Sequence, residues 1–337
     1  MTWHEAGSRT VMTSYTVLVV TNLWPTEADP SYGSFVKAQV ESLGPLGVKF
    51  DVLFVNGRES KWNYFRGIRQ LHRQLRARQY DLIHAHFGLS GWVARLQFRV
   101  PVVVSFMGDD VFGRPTHSGR ITLAGHILRW SGFIIARLAD SVIVKSREMA
   151  RQLRMPSAHI IPNGVDLNLF RPMEQVEARK ILGLDPKRKF VLFPYNPNEA
   201  RKRFDLIQAA VSKARAQVPG LELLIARGLP QGQIAIYMNA ADVLVMASVF
   251  EGSPNAVKEA MATNLPVITV DVGDAAELIG PTDGCYLVQR EATAMAQKIV
   301  EVCRRGGRTN GRDWIRKLSM EAVAEQIVEV YARVLQR

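Results

Sequence analysis

Cysteine is nearly absent: the 337 residues contain two, Cys285 and Cys303, with neither metal-ligand spacing nor a disulfide framework. That argues against a disulfide scaffold and a structural metal, and leads us to expect a reducing, cytoplasmic setting. Long apolar runs are missing too. The best stretch, 121–138, is interrupted by His126, Arg129 and Arg137, so no membrane-spanning helix is expected. Residues 1–14 carry Glu5 and Arg9 and lack the apolar centre of a signal peptide. They read as a disordered extension with no export function, and Met12 is a second candidate start. Acidic residues are in deficit, 31 against 43 basic ones, for a net charge of +12, which implies an anionic partner.

The positive charge is clustered. Arg58, Lys61, Arg66, Arg69, Arg73, Arg76 and Arg78 face only Glu59 in their stretch. On a helix, Phe65, Ile68, Leu71 and Leu75 form one stripe and Arg66, Arg69, Arg73 and Arg76 another. With Trp62 and Tyr64 ahead of it, this helix suits an anionic membrane face; the alternative is an apolar stripe packed on the protein's own sheet. A second cluster, Arg304, Arg305, Arg308, Arg312, Arg316 and Lys317, lies in a glycine-containing segment and reads as a loop. Nucleic acid is not expected as a partner, because no zinc-finger spacing, recognition motif or aromatic-interleaved basic strand accompanies the charge.

Short β-rich runs alternate with helical stretches twice over. The first set is 17–20, 50–55, 81–84, 102–105 and 141–144; the second is 190–193, 221–225, 242–246, 266–269 and 286–288. Between them, Ile160-Ile-Pro-Asn-Gly is a break that Phe170-Arg-Pro172 continues, with the domain boundary set between 170 and 171. The fold class is α/β: two doubly wound, Rossmann-like domains over 15–170 and 171–318, with a ligand cleft beyond the carboxyl ends of their strands. A final helix over 319–337 has Val323, Ile327, Val330 and Val334 at helical spacing.

Residues 251–259 read Glu-Gly-Ser-Pro-Asn-Ala-Val-Lys-Glu, just past the run 242–246. Ser253 suits an N-cap and Pro254 the first helical position, leaving the amides of Asn255 and Ala256 free for phosphate. Glu251 then sits ahead of the phosphate and Glu259 behind it, an arrangement that fits a diphosphate flanked by two hydroxylated rings. Together with Tyr237 to Asp242, Glu259 to Val267 and Gly273-Asp-Ala-Ala-Glu277, the stretch resembles the donor-binding signature of retaining glycosyltransferases of family 4. The resemblance runs from about Tyr15 to the C-terminus.

That resemblance implies the GT-B fold, its last helix crossing back to the first domain, and a metal-independent hexosyl transfer. Neither metal nor cofactor is expected, since a nucleotide sugar, UDP- or GDP-linked, is a substrate. It implies that Lys202 binds the donor phosphates. The family's arginine a few residues earlier is missing, its region being occupied by Asn196, Asn198 and Glu199, so Arg201 or Arg203 becomes the candidate substitute. Gly33 in Tyr32-Gly-Ser-Phe35 is expected near the donor where many relatives have two glycines, and Gly273 is expected to offer a backbone amide to it. Met107 stands where relatives often have a histidine on the acceptor side, which leaves Asp109, Asp110 and His86 as candidates there, Asp110 first. Glu251, Lys202 and Asp110 are the expected catalytic set. Asn22-Leu-Trp-Pro25 and Ser34-Phe-Val-Lys37 look like bacterial members that build capsule, teichuronic-acid or exopolysaccharide chains, so a lipid-linked saccharide acceptor and an anionic inner-membrane surface are the expected partners. The competing readings are a glycoside hydrolase using Glu251 and Glu259, and a non-catalytic nucleotide-binding membrane adaptor.

Overall fold

The computed structural model of the chain describes residues 14–113 and 120–336; the expected extension over 1–14 therefore lies almost wholly outside the described residues. The first sheet is built from β1 (Tyr15–Thr21), β2 (Val48–Phe54), β3 (Leu82–His86), β4 (Val102–Ser105), β5 (Ser141–Val144) and β6 (His159–Ile160). Its order is β2-β1-β3-β4-β5-β6, and every pairing is parallel. The second sheet contains β7 (Lys189–Phe193), β8 (Leu221–Ile225), β9 (Val243–Met246), β10 (Val267–Thr269) and β11 (Tyr286–Leu287), ordered β11-β10-β9-β7-β8, again all parallel. Val17 to Val20 and Val243 to Met246 are completely buried. This explains their unbroken apolar sequences, since strands covered by helices on both faces need no polar alternation.

In each sheet the strand order reverses once, between β1 and β3 in the first and between β7 and β9 in the second. The connections leaving the two strands at such a reversal run to opposite faces and open a crevice at their carboxyl ends. In the second sheet those connections are 194–203 and 247–254, which carry Arg201, Lys202 and Glu251.

β6 differs from the expected break: His159 and Ile160 pair with Ile143 and Val144 before the Pro-Asn-Gly turn. The chain changes cores at that turn, because Ile161 still packs with the first sheet while Val165 and Phe170 already belong to the second core. The helix Met320–Leu335 returns to the first sheet. Val323, Ala324, Ile327, Val330 and Tyr331 are fully buried against Val17, Val19, Val36, Val40 and Leu82. Ser319 caps it, accepting from the Ala322 amide.

The second basic cluster is a correction to the sequence reading. Arg308 does lie in a loop, over 306–310, but Arg304 and Arg305 end the helix Ala292–Arg305, Arg312 lies in the short helix Gly311–Ile315, and Arg316 and Lys317 lie in the 3-10 turn after it. Arg312 donates to the carbonyls of Leu167 (2.8 Å), Phe170 (2.8 Å) and Ala262 (3.0 Å). It thus ties the linker to the carboxyl end of the helix Asn255–Ala262, where the helix leaves acceptors unused.

Candidate active site

Glu251 anchors the site. It is 9% exposed, and Lys202 Nζ donates to its Oε1 at 2.6 Å while Arg201 Nη1 lies 2.8 Å from its Oε2. Burial acts to raise this carboxyl, but Arg201 and Lys202 together override it and hold it at about 2. Lys202 ends the turn Ala200–Lys202, is 6% exposed and has its ammonium 3.7 Å from the centre of the Tyr195 ring. The two loops are also joined through the backbone, Val249 N donating to Arg201 O at 2.8 Å. Arg203 follows in a left-handed conformation (φ 51°) and turns to Asp205 at 2.8 Å on its own helix. Of the two candidate arginines, the structure brings only Arg201 to Glu251.

The helix after Glu251 starts one residue later than the sequence suggests. Pro254 occupies the cap position and its carbonyl is the first acceptor, taking Val257 (3.2 Å) and Lys258 (3.4 Å). The amides of Asn255 and Ala256 lie ahead of Val257, the first amide that this acceptor takes, and point out of the helix start. Ser253 is no cap: its Oγ accepts from the buried Lys258 Nζ at 3.1 Å, and Lys258 also donates to Asn163 O at 2.7 Å. Gly273 adopts φ 61° and packs where a Cβ would stand 2.7 Å from Glu251 O, so it fixes the Glu251 backbone from behind. Its amide donates to Glu148 of the first domain at 3.0 Å, so the expected donation to a ligand is replaced by a bond between domains.

Two compartments open between the domains. The larger, about 670 Å³, is bordered by Gly33, Arg58, Arg227 and Glu259. The smaller, about 230 Å³, is bordered by Met107, Asp109, Lys145, Asn163, Glu251 and Ser253. They meet at Phe35, Tyr195, Arg201, Lys202 and Asn255, which border both. Glu259 is half-buried, and burial pushes its carboxyl up to about 7. Gly33 has φ 69°, and a Cβ there would lie 2.3 Å from the Leu23 carbonyl carbon, so this glycine is required by the turn itself as well as bordering the cleft.

The first domain overturns two expectations. Asp110 is fully buried and accepts three backbone amides, from Gly88 (2.8 Å), Gly108 (2.9 Å) and Met107 (3.0 Å). Burial pushes it up to about 6 against those amides. It borders neither compartment; it pins the loop that presents Met107 and Asp109. His86 is also fully buried, stacked 4.2 Å from His84, which is itself hydrogen-bonded to Tyr331 Oη and Ser105 Oγ. Burial holds His86 well below the usual histidine value, and it too borders neither compartment. Asp109 does face the smaller compartment and acts electrostatically on Arg201. Sequence reasoning missed Tyr195, Arg227, Asn163 and Lys145. Lys145 and Tyr195 stand one and two residues beyond β5 and β7, and the rule that ligands sit at carboxyl ends of parallel strands was the signal for both.

Two parallel-sheet domains facing each other across such a cleft define the GT-B fold. Three comparisons agree with it. A sucrose-phosphate synthase from Thermosynechococcus elongatus superposes with a TM-score of 0.79 at 22% identity, over 96% of this chain and all of that one. HepE of Anabaena, solved in complex with UDP and glucose, superposes at 0.69 and 15% identity, over 95% of this chain and all of that one. The putative teichuronic acid biosynthesis glycosyltransferase TuaC of Bacillus subtilis is 28% identical over 238 residues, 65% of this chain and 60% of that protein. The chain spans less than two thirds of the length of this relative. Residues 8–169 match Glycosyltransferase Family 4 and residues 209–305 match Glycosyl transferases group 1. The two halves of the chain are thus similar to glycosyltransferases of these two kinds.

Proposed function

We propose that the protein is a retaining glycosyltransferase that moves a sugar from a UDP- or GDP-linked donor to a lipid-linked saccharide in the synthesis of a bacterial surface polysaccharide, without a resident metal. The observation that carries the reading is Glu251, held by Lys202 and Arg201 beside the free amides of Asn255 and Ala256. A donor diphosphate displaces Glu251 as counter-ion of the two cations and takes the helix amides as further donors. Glu251, still ionised, is then released to accept hydroxyls of the sugar. As the glycosidic bond to phosphate breaks, charge grows on the departing diphosphate, where Lys202, Arg201 and the amides are already placed, so no reorganisation is needed at that moment. Glu259 lies in the larger compartment, where it accepts the ribose hydroxyls.

The relative TuaC supports a surface-polysaccharide setting through its name. Membrane contact is supported by the helix Asn63–Ala77. Leu71 is fully buried and Ile68 and Leu75 pack on the first domain's core, whereas Trp62 (71% exposed) and Phe65 (62%) pair with each other in solvent beside the arginine stripe. The alternative expected from sequence, a stripe packed on its own sheet, thus describes one part of the helix and leaves the aromatic pair for the lipid surface. That surface is the cytoplasmic face of the inner membrane, with the protein bound peripherally; among the described residues no helix is long and apolar enough to cross it.

A panel of labelled UDP-, GDP- and ADP-sugars tests this, with the product anomer read by NMR. We expect transfer or slow hydrolysis with retention, and a fall in kcat of about 10³-fold in Glu251→Ala. That variant binds free nucleotide at least as tightly as the wild type, because Lys202 and Arg201 lose their competitor. Full activity in Glu251→Ala removes the site; cleavage of oligosaccharides without a nucleotide sugar selects a hydrolase, and inert nucleotide binding an adaptor.

A further inference from the structure

Lys145 is 1% exposed, borders the smaller compartment, and among the described residues its ammonium has no hydrogen-bond partner. Such a group is expensive to keep inside a protein, where a charge ordinarily finds a carboxylate or shifts toward neutrality. The charges around it supply no partner. Glu251 is already shared by two cations, and Asp110 is saturated by three amides. Lys258, from the other domain, lies close enough to repel it. Burial and that repulsion, outweighing the attraction of Asp110, lower the Lys145 ammonium to about 7. Asn163 Oδ1, in the same wall, is also buried without a partner. A donor and an acceptor, both unmatched, thus face one compartment that holds about the volume of eight waters, the size of a single sugar ring.

Lys145 is fixed next to the sugar-holding carboxylate. A Cβ on Gly252, the residue after Glu251, would lie 3.4 Å from Lys145 Cβ. Arg201, Lys202 and the helix amides lie where the two compartments meet, which is where a diphosphate joins ring to nucleoside. Lys145, bordering only the smaller compartment, meets the ring instead.

From this geometry we infer that Lys145 binds a carboxylate carried by a sugar ring in the smaller compartment, making the protein selective for a uronic acid, with Asn163 Oδ1 accepting a hydroxyl of the same ring. A single ammonium matches the single charge of a carboxylate, while the more highly charged diphosphate is already provided for by Arg201, Lys202 and the helix amides where the compartments meet. The inference rests on the transferase reading and specifies its substrate class. The carboxylate belongs either to the donor sugar or to the acceptor residue entering the compartment.

The two sources separate in one matrix: UDP- and GDP-linked glucose and galactose against their uronates as donors, each offered to neutral and uronate-ended saccharides. Lys145→Met and Lys145→Arg are assayed beside the wild type. We expect the wild type to favour a uronate in one partner, and Lys145→Met to lose about 10- to 100-fold in kcat/KM for that partner only. Lys145→Arg recovers part of the preference, and free UDP or GDP binds all three proteins alike. Lys145→Met removes an unpaired buried charge, so its Tm is no lower than that of the wild type and lost activity cannot be ascribed to unfolding. Wild-type turnover with no preference for a uronate on either side overturns the inference while leaving the transferase reading intact. A tenfold loss of free-nucleotide affinity in Lys145→Met also overturns it, by assigning the lysine to the diphosphate. If no nucleotide sugar is bound or turned over by the wild type, both readings fall together.

Discussion

The two walls of the cleft are built on different principles. The second-domain wall gathers its polar groups from two short loops that leave neighbouring strands, and those groups satisfy one another: Glu251 with Lys202 and Arg201, Ser253 with Lys258. The first-domain wall keeps its conspicuous acid and histidine inside. Asp110 and His86 are fully buried, and among the described residues only Asp109 and Lys145 of its charged residues border the smaller compartment. A wall of mutually paired charges can exchange partners when a ligand arrives, at small net cost, because each pair broken is replaced by another. A wall whose charges are spent on backbone amides cannot. On the proposed function, this difference assigns the transfer step to the second domain and leaves the first, Lys145 apart, to shape the space in which it happens.

Removing Asp110 gives the largest effect by which this contrast can be broken. Asp110→Ala leaves three buried amides without an acceptor, and we expect a loss of about 3 kcal/mol in unfolding free energy. Free-nucleotide affinity stays within threefold, since Arg201, Lys202 and the helix 255–262 are untouched. Urea unfolding and nucleotide titration on the same preparation decide it. An unchanged stability together with a hundredfold loss of turnover would mean that Asp110 reaches the substrate and that the wall is not merely a support.

The same contrast explains what was legible in the sequence. The strands of both sheets stand out because parallel strands buried on both faces must be apolar throughout, and 17–20 or 243–246 can be read by eye. Glu251 and the helix start are legible because they are neighbours in one short motif, whereas Lys202, 49 residues ahead of Glu251, was reached only through the family resemblance. Asp110 and His86 misled because residue type alone does not say which way a side chain points, and an aspartate two residues past Gly108 is equally suited to substrate or to its own backbone amides. Ser253 misled for a related reason, since its hydroxyl found Lys258 as a partner and the cap fell to Pro254. Lys145 was invisible for the opposite reason: a lone lysine after a strand is ordinary until the fold shows that, among the described residues, its ammonium has no hydrogen-bond partner. β6 was too short to show as a pattern; its two residues are set by pairing with Ile143 and Val144.

Within the second-domain wall, Glu251 and Glu259 sharpen the comparison, because their environments drive them in opposite directions. Glu251 is held at about 2, below the ordinary 4.5, so the stability it lends is complete above 4.5 and lost as pH falls toward 2. Glu259 is raised to about 7, so the folded state binds the proton more tightly than the unfolded chain. Stability therefore declines as pH rises from 4.5 to 7 and is flat outside that window. The shift corresponds to at most about 3 kcal/mol, and to about 2 once water in the cleft is allowed for. In Glu259→Gln this decline disappears. Urea unfolding of both proteins between pH 4 and pH 8 should therefore give curves that diverge by about 2 kcal/mol, the variant being relatively more stable at the alkaline end. Parallel curves would show that Glu259 is solvated and ionised throughout, and would move the ribose-binding role elsewhere.

The smallest effect concerns the outside of the first domain, where exposure replaces burial as the informative quantity. Trp62 and Phe65 lie beside the helix 63–77 arginines, and helix Gly88–Arg95 packs between that helix and Leu123–Leu138, whose Leu123, Ile127 and Trp130 are exposed at one-face spacing. A membrane surface accepts both kinds of group at once, aromatic rings at the headgroup level and guanidinium groups on anionic lipid. Replacing Trp62 and Phe65 by serine removes only the first contribution. We expect sedimentation with anionic vesicles to fall about tenfold in the double variant, with Tm unchanged because neither ring is part of the core. Binding to neutral vesicles should be weak for both proteins, and raised salt should weaken the wild type further. If the double variant sediments like the wild type, the arginines alone account for the attraction and the aromatic pair serves another surface. If its Tm drops as well, the pair supports the helix, and the first domain's outer face is built like its inner wall, for structure before contact.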